Sequence, residues 1–361
     1  MIPILIPNVP STEHILPYLQ RIDLNRIYSN GGPLHTELVA RIADHFAVDT
    51  GMVAIVANAT LALEGAVRTA PTSNSLWECP SWTFTATPAA VLGAGAELTF
   101  VDVDDQWRIA PGYVSGNLVD VLPFGKGVDF DRLDLTSLNC LVVDAAASFD
   151  SLSDFQFPEM LPTVVIISMH ATKVFPAGEG GIILSNNFEW IQRLRKWSNF
   201  GMGPDRVSDF IGTNAKLSEY GSAVGLATLD SWSSIRSDFE KISSQILDLS
   251  NRLDLNCFTP HGASISSYWI LRDLDPLFKQ AIIESFKVLG IATRDWWESG
   301  CHRMPAYEGS LAEKSSLKNT EYIAATSLGL PFFIGMSQDQ LNEIEIALIR
   351  AKDNYLSNCS K

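Results

Sequence analysis

Short apolar runs recur through the first half of the chain, and each stops at polar or glycine-rich residues. VAIVA (53–57), LVDVLPF (118–124), CLVVDAAA (140–147), TVVIISM (163–169) and GIILS (181–185) are rich in β-branched residues and fit strands buried on both faces. AELTFVDVD (96–104) reads as a further strand, and SLWECP (75–80) precedes the segment TFTATPAAVLGAGA (83–96). Amphipathic segments lie between the runs: HTELVARIADHFA (35–47), with Leu38, Ile42 and Phe46 at near-helical spacing, and LALEGAVRTA (61–70). Buried strands alternating with helices predict an α/β architecture, a doubly wound, mostly parallel sheet with helices on both faces. Ligands of such sheets bind at the carboxyl ends of the strands.

Residues 187–250 read as mainly helical. The last third mixes expected strands, SSYWILRDL and GIATRDWW, with the helix DPLFKQAIIESFKVLG closed by Gly290. The final helix, SQDQLNEIEIALIRAK, opens with a capping box of Ser337 and Gln340. This pattern predicts a large α/β domain over 1–240, including the amino-terminal segment, and a smaller α+β domain over 241–361.

Charge narrows the partners. The formal net charge is −15, a surface that repels nucleic acid and anionic membranes. No apolar run approaches the ~18 residues of a membrane span. MIPILIPNVPSTEH lacks a basic lead and carries two prolines in its apolar stretch, which argues against a secretory signal. Five scattered cysteines, with no C-x-x-C pair and no zinc spacing, fit a reducing cytoplasmic setting.

Three strand ends carry polar groups. Asn58-Ala59-Thr60 follows VAIVA and opens a helix, where free N–H groups and the helix dipole favour an anion; an ordinary N-cap is the plain alternative. Asp144 ends CLVVD, and a carboxylate there costs desolvation unless a cation or donor meets it. Lys173 follows the next strand, at the same sheet edge, just before the glycine-rich turn GEGG (178–181). A strand-end lysine, a strand-end carboxylate and a helix-start phosphate cradle meet the needs of pyridoxal 5'-phosphate, with Phe84 or Trp82 able to stack on its ring.

Six ordered segments carry a resemblance across nearly the whole chain: NGGPLHTELVARIADHF (30–46), CPSWTFTATPAAVLGAGAELTFVDVD (79–104), VVDAAASF (142–149), SMHATKVFPAGEGG (168–181), GTNAKLSEYGSAVGL (212–226) and GIATRDWWESGCHRMPAY (290–307). The chain resembles the DegT/DnrJ/EryC1/StrS family of nucleotide-sugar aminotransferases, fold-type I pyridoxal phosphate enzymes. The resemblance implies Lys173 as the Schiff-base lysine, Asp144 as partner of the pyridine nitrogen and Phe84 as the ring-stacking residue. It implies phosphate contacts from Ala59, Thr60 and Ser168, and from Asn214 reaching into the neighbouring subunit of a homodimer with shared sites. Glu179, Arg294 and His302 become substrate-site candidates, and His170 is weighed between proton transfer and structure.

Two departures stand out. The family's usual Ser-Gly-Thr is Asn58-Ala59-Thr60 here, and Asp-Ala-Ala-Gln is Asp144-Ala145-Ala146-Ala147, without the glutamine expected near the ring's phenolic oxygen. The implied reaction takes an amino group from glutamate, or glutamine, to C4 of a dTDP-4-keto-6-deoxyhexose. C3 amination and a regulatory cofactor-binding homologue are the alternatives. A related dehydratase class carries histidine in place of the lysine, and Lys173 argues against it.

Overall fold

The computed structural model describes residues 1–110, 116–259, 264–309 and 317–359. A seven-stranded sheet forms its centre. Its strands are β1 (Val53–Val56), β2 (Leu76–Pro80), β3 (Glu97–Val101), β4 (Gly116–Val121), β5 (Leu138–Asp144), β6 (Thr163–Ser168) and β7 (Gly181–Ser185). The order is β1-β7-β6-β5-β4-β2-β3, and β7 alone runs against the others. Helices α1 (Thr12–Asn25), α2 (Pro33–His45), α3 (Ala59–Arg68), α4 (Ala86–Gly93), α5 (Phe188–Trp197), α6 (Glu219–Asp230) and α7 (Trp232–Arg252) accompany this sheet. A three-stranded antiparallel sheet of β8 (Cys257–Phe258), β9 (Trp269–Leu271) and β10 (Leu328–Leu330) follows, with α8 (Pro276–Val288), α9 (Lys318–Thr326) and α10 (Gln338–Cys359).

The alternation of the strands decides the layers. Val143, Val165, Ile167, Ile182 and Leu184 face a core shared with Leu34, Leu38 and Ile42 of α2. Their neighbours Val142, Val164, Ile166 and Ile183 face a second core with Ala62, Leu63 and Ala66 of α3 and Trp190 and Trp197 of α5. Successive strand residues point to opposite faces, so both faces of a run such as VVII must be apolar. Each of the fully buried leucines and isoleucines contributes roughly 1.5–3 kcal/mol relative to exposure. Glu219, buried at the start of α6, accepts from Leu34 N and His35 N at 2.8 Å each and so satisfies the first turn of α2 from another element.

The capping box of α10 forms as expected: Gln340 N donates to Ser337 Oγ at 3.2 Å and Ser337 N to Gln340 Oε1 at 2.9 Å. Two expectations need correction. GIATRDWW is not a strand; among the described residues it makes two single bridges, Ile291 with Ile2 and Arg294 with Gly329. Trp297 and Glu298 adopt φ of 58° and 50°, which turns the chain before a ladder can extend. The expected helical stretch is also broken between α5 and α6, where Phe200 N bonds Thr213 O and Gly201 N bonds Lys196 O. A Cβ on Gly201 would stand 1.9 Å from Phe210 O, so backbone meets backbone there.

No helix among the described residues is long and apolar enough to cross a membrane. The helix α7 runs across position 240 without a break.

Candidate active site

A cavity of about 740 Å³ opens at the carboxyl edge of the large sheet, where β1, β4, β5 and β6 end. Asp144, the last residue of β5, lies at its floor with 6% exposure. Its Oδ2 accepts from Thr87 Oγ1 at 2.6 Å and its Oδ1 from Ala146 N at 3.1 Å. Burial pushes its carboxyl above the usual range, while the two hydrogen bonds and the nearby Lys173 charge pull it back.

Lys173 stands on the loop between β6 and β7. The neck of that loop continues the strand pairing, with Met169 N bonding Gly180 O, Ala177 N bonding Met169 O and Ala171 N bonding Gly178 O. Val174 and Phe175 are buried, and Phe175 stacks on Phe149 with ring centroids 4.0 Å apart. These anchors leave the half-buried Lys173 in the cavity wall, where Nζ donates to Tyr268 Oη at 2.8 Å.

The third strand end is built as an N-cap. Asn58 Oδ1 accepts from Leu61 N at 2.8 Å, and Ala59 and Thr60 line the cavity in the first turn of α3. The asparagine that departs from Ser-Gly-Thr therefore serves the helix itself. Gly181 is required beside it: a Cβ there would stand 2.7 Å from Asn58 O and 2.9 Å from Ala59 N. Ser168 is buried and accepts from His170 N through Oγ at 3.1 Å. Phe84 lines the mouth with 60% of its surface exposed.

Glu179 and Arg294 also line the cavity, both exposed. Glu179 Oε1 lies 3.8 Å from His170 Nε2, and the Arg294 guanidinium lies over the Trp296 ring at 5.0 Å. His170 pairs through Nδ1 with Thr172 Oγ1 at 2.9 Å. Two of the expected residues are not brought to this cavity within the chain. Asn214 is exposed and accepts from Lys216 Nζ at 2.6 Å on the loop before α6. His302 has a largely buried side chain, with Nδ1 2.6 Å from Ser81 Oγ and Nε2 3.5 Å from Glu321 Oε1; burial pulls its imidazole down. Ser81 and Glu321 hold the ring away from the cavity.

Sequence reasoning missed Thr87, Thr83 and Tyr268. Thr83 Oγ1 lies 2.8 Å from Thr87 Oγ1, and both threonines are buried. Their spacing of four across a helix start was the available signal for a shared face. Tyr268 gave none, since it approaches Lys173 from just before β9.

The donor set fits pyridoxal phosphate. A buried carboxylate bonded to neutral donors suits a cationic ring nitrogen, an exposed aromatic at the mouth suits a stacked ring, and the α3 start with Ser168 suits a phosphate.

Comparison with known proteins agrees. The model of the DegT/DnrJ/EryC1/StrS aminotransferase family matches residues 11–348. A dTDP-4-amino-4,6-dideoxy-D-glucose transaminase of Shigella dysenteriae is 28% identical over 354 residues, covering 94% of this chain and 95% of that one. A crystal structure from Bacillus cereus ATCC 10987, assigned as a PLP-dependent aminotransferase, is 28% identical with a TM-score of 0.84, covering 96% of this chain and 99% of that chain. DesI, solved in the presence of its TDP-sugar product, is 26% identical with a TM-score of 0.80, covering 98% and 94%.

Proposed function

The chain belongs to the DegT/DnrJ/EryC1/StrS aminotransferase family, a sugar aminotransferase with pyridoxal phosphate as cofactor, and on that premise we propose that it aminates a nucleotide-linked ketosugar with glutamate as donor. The proposed acceptor is C4 of a dTDP-4-keto-6-deoxyhexose, in the synthesis of an amino sugar for a surface polysaccharide or a glycoside. The Shigella dysenteriae relative, and DesI, studied in the presence of its TDP-sugar product, support that choice. The observation that carries the reading is the meeting of the Lys173 amine and the buried Asp144 carboxylate in one cavity at the sheet edge.

When bound, the cofactor supplies an electron-poor ring that eases proton removal at the carbon bearing the transferred amine. The chain's own residues do the rest. Asp144, fixed by Thr87 and Ala146, would hold the ring nitrogen and favour its protonated form. Phe84, Ala59, Thr60 and Ser168 line the cavity, where Phe84 would stack on the ring and the other three would hold the phosphate. Lys173 holds and moves the proton at the donor's α-carbon and then at the sugar carbon, as general base and acid. Glu179 and Arg294, both on the cavity wall, are the proposed contacts for the sugar nucleotide or the donor's carboxylate. Asn214 completes the phosphate cradle of a second copy, so the working unit is a homodimer.

The test incubates the purified holoenzyme with glutamate and dTDP-4-keto-6-deoxyglucose and follows 2-oxoglutarate release and the mass and NMR spectrum of the sugar nucleotide. A 4-amino product is expected. Product from a 3-keto isomer alone would move the assignment to C3. No amine transfer to any ketosugar nucleotide would overturn the reading.

A further inference from the structure

Lys173 and Tyr268 meet from different sheets. Tyr268 directly precedes β9 of the small sheet, whereas Lys173 follows β6 of the large one. Lys173 Nζ lies 2.8 Å from Tyr268 Oη and 5.5 Å from the centre of the ring, so the amine addresses the hydroxyl edge rather than the face.

The phenol is held in place by its surroundings. Its ring packs edge-on against Phe124 and Trp296, with centroids 5.2 Å away in each case. Tyr268 N donates to Ser266 Oγ at 3.2 Å, and Ser266 Oγ donates to Phe124 O at 2.7 Å. Phe124 itself adopts φ of 54° in the turn that follows β4, so the tyrosine's backbone is tied to a turn of the large sheet. Ala147 lines the same cavity and offers no hydrogen-bonding side chain.

We infer that Tyr268 is a positioning residue for the reacting amine: its phenol oxygen holds Lys173 Nζ in the cavity between proton transfers. The inference rests on the aminotransferase reading proposed above. When the amine is charged, it donates to the phenol oxygen. When the amine is neutral, the phenol O–H donates to the nitrogen lone pair, and the two heavy atoms need not move. Each transfer therefore starts with the nitrogen already placed, which removes a rotamer search from the barrier.

Other titratable groups line the cavity with Lys173: Asp144 from β5, His170 and Glu179 from its own loop, and Arg294 from the segment after α8. Tyr268→Phe leaves all of these and the ring packing in place, and removes one oxygen.

Two readouts test the role. In the full chain stripped of cofactor, competitive acetylation at fixed pH, read by peptide mass, compares Lys173 with the exposed Lys241. Tyr268→Phe removes the O–H that occupies the neutral amine's lone pair and so opens it to the reagent, which is expected to raise the Lys173 to Lys241 labelling ratio about tenfold. In the holoenzyme, kcat for amine transfer is expected to fall about tenfold, with KM for glutamate changed less than twofold. A labelling ratio unchanged or lowered overturns the inference, as does a kcat equal to wild type. If the wild type moves no amine at all, the functional reading fails, and the labelling ratio still decides the contact between Tyr268 and Lys173.

Discussion

Thr87 Oγ1 donates to Asp144 Oδ2 at 2.6 Å, so the carboxylate that ends β5 is held by the first turn of α4. The price of burying that carboxylate falls on the cofactor-free chain. Burial raises the Asp144 carboxyl above its ordinary value, so the folded chain binds that proton more tightly than the unfolded one. Stability then falls as pH rises from the usual carboxylate range through the raised value. Asp144→Asn removes this fall. At pH 8 the cofactor-free variant is expected to be more stable than wild type, and the difference should shrink as pH falls into the ordinary carboxylate range. The same variant should lose at least about a hundredfold in kcat, because an amide cannot favour a protonated ring nitrogen. Urea unfolding across that pH range and steady-state rates check both halves; a variant less stable than wild type at pH 8 counts against the account.

Thr87→Val keeps the shape and removes the donor. The carboxyl should rise further, since the Thr87 bond lowers it. Cofactor affinity and kcat are each expected to fall about tenfold, less than for Asp144→Asn. Equilibrium dialysis with pyridoxal phosphate and initial rates give the order; equal losses in the two variants would show that Asp144 does not act through its charge.

Lys173→Ala removes the reacting amine from a half-buried loop whose anchors, Val174 and Phe175, stay in place. Turnover should fall by at least about a thousandfold, while the cofactor-free thermal midpoint moves by no more than about 2 °C. Near wild-type turnover in this variant removes the lysine from the mechanism.

Gly181→Ala tests the contact between β7 and the start of α3. Its Cβ would meet Asn58 O at 2.7 Å and Ala59 N at 2.9 Å, both backbone atoms that cannot rotate away. A loss of about 1–3 kcal/mol in unfolding free energy is expected, as for overpacking in a tight core. Pyridoxal phosphate should bind at least about tenfold more weakly, because the first turn of α3 must shift by several tenths of an ångström. Unchanged affinity would place the phosphate elsewhere.

The proposed dimer is tested by complementation. Lys173→Ala and Asn214→Glu chains are each expected to be inactive alone. Mixed under conditions of subunit exchange, one site per heterodimer regains both intact groups, so about a quarter of wild-type activity should return in an equal mixture. A mixture that stays inactive although exchange is seen by native mass spectrometry excludes the shared site.

The sequence by itself determined the layers and the sheet edge. Runs such as VVII admit no solvent on either face, so a doubly wound sheet was readable from them, and Asp144 and Lys173 were conspicuous because a charge at the end of such a run needs a reason. Local chemistry also sufficed for the Ser337–Gln340 box, whose partners are three residues apart. Tertiary structure alone decided who meets these groups. Thr87 and Tyr268 reach Asp144 and Lys173 from 57 and 95 residues away along the chain, and hydrophobic period carries no record of such pairings. GIATRDWW has strand-like composition, yet the positive φ of Trp297 and Glu298 turns it, and Ser81 draws His302 to itself instead of to the cavity. Periodicity reports which side of an element is buried; the partner of a buried polar atom is set by how separate elements pack, which only the folded chain specifies.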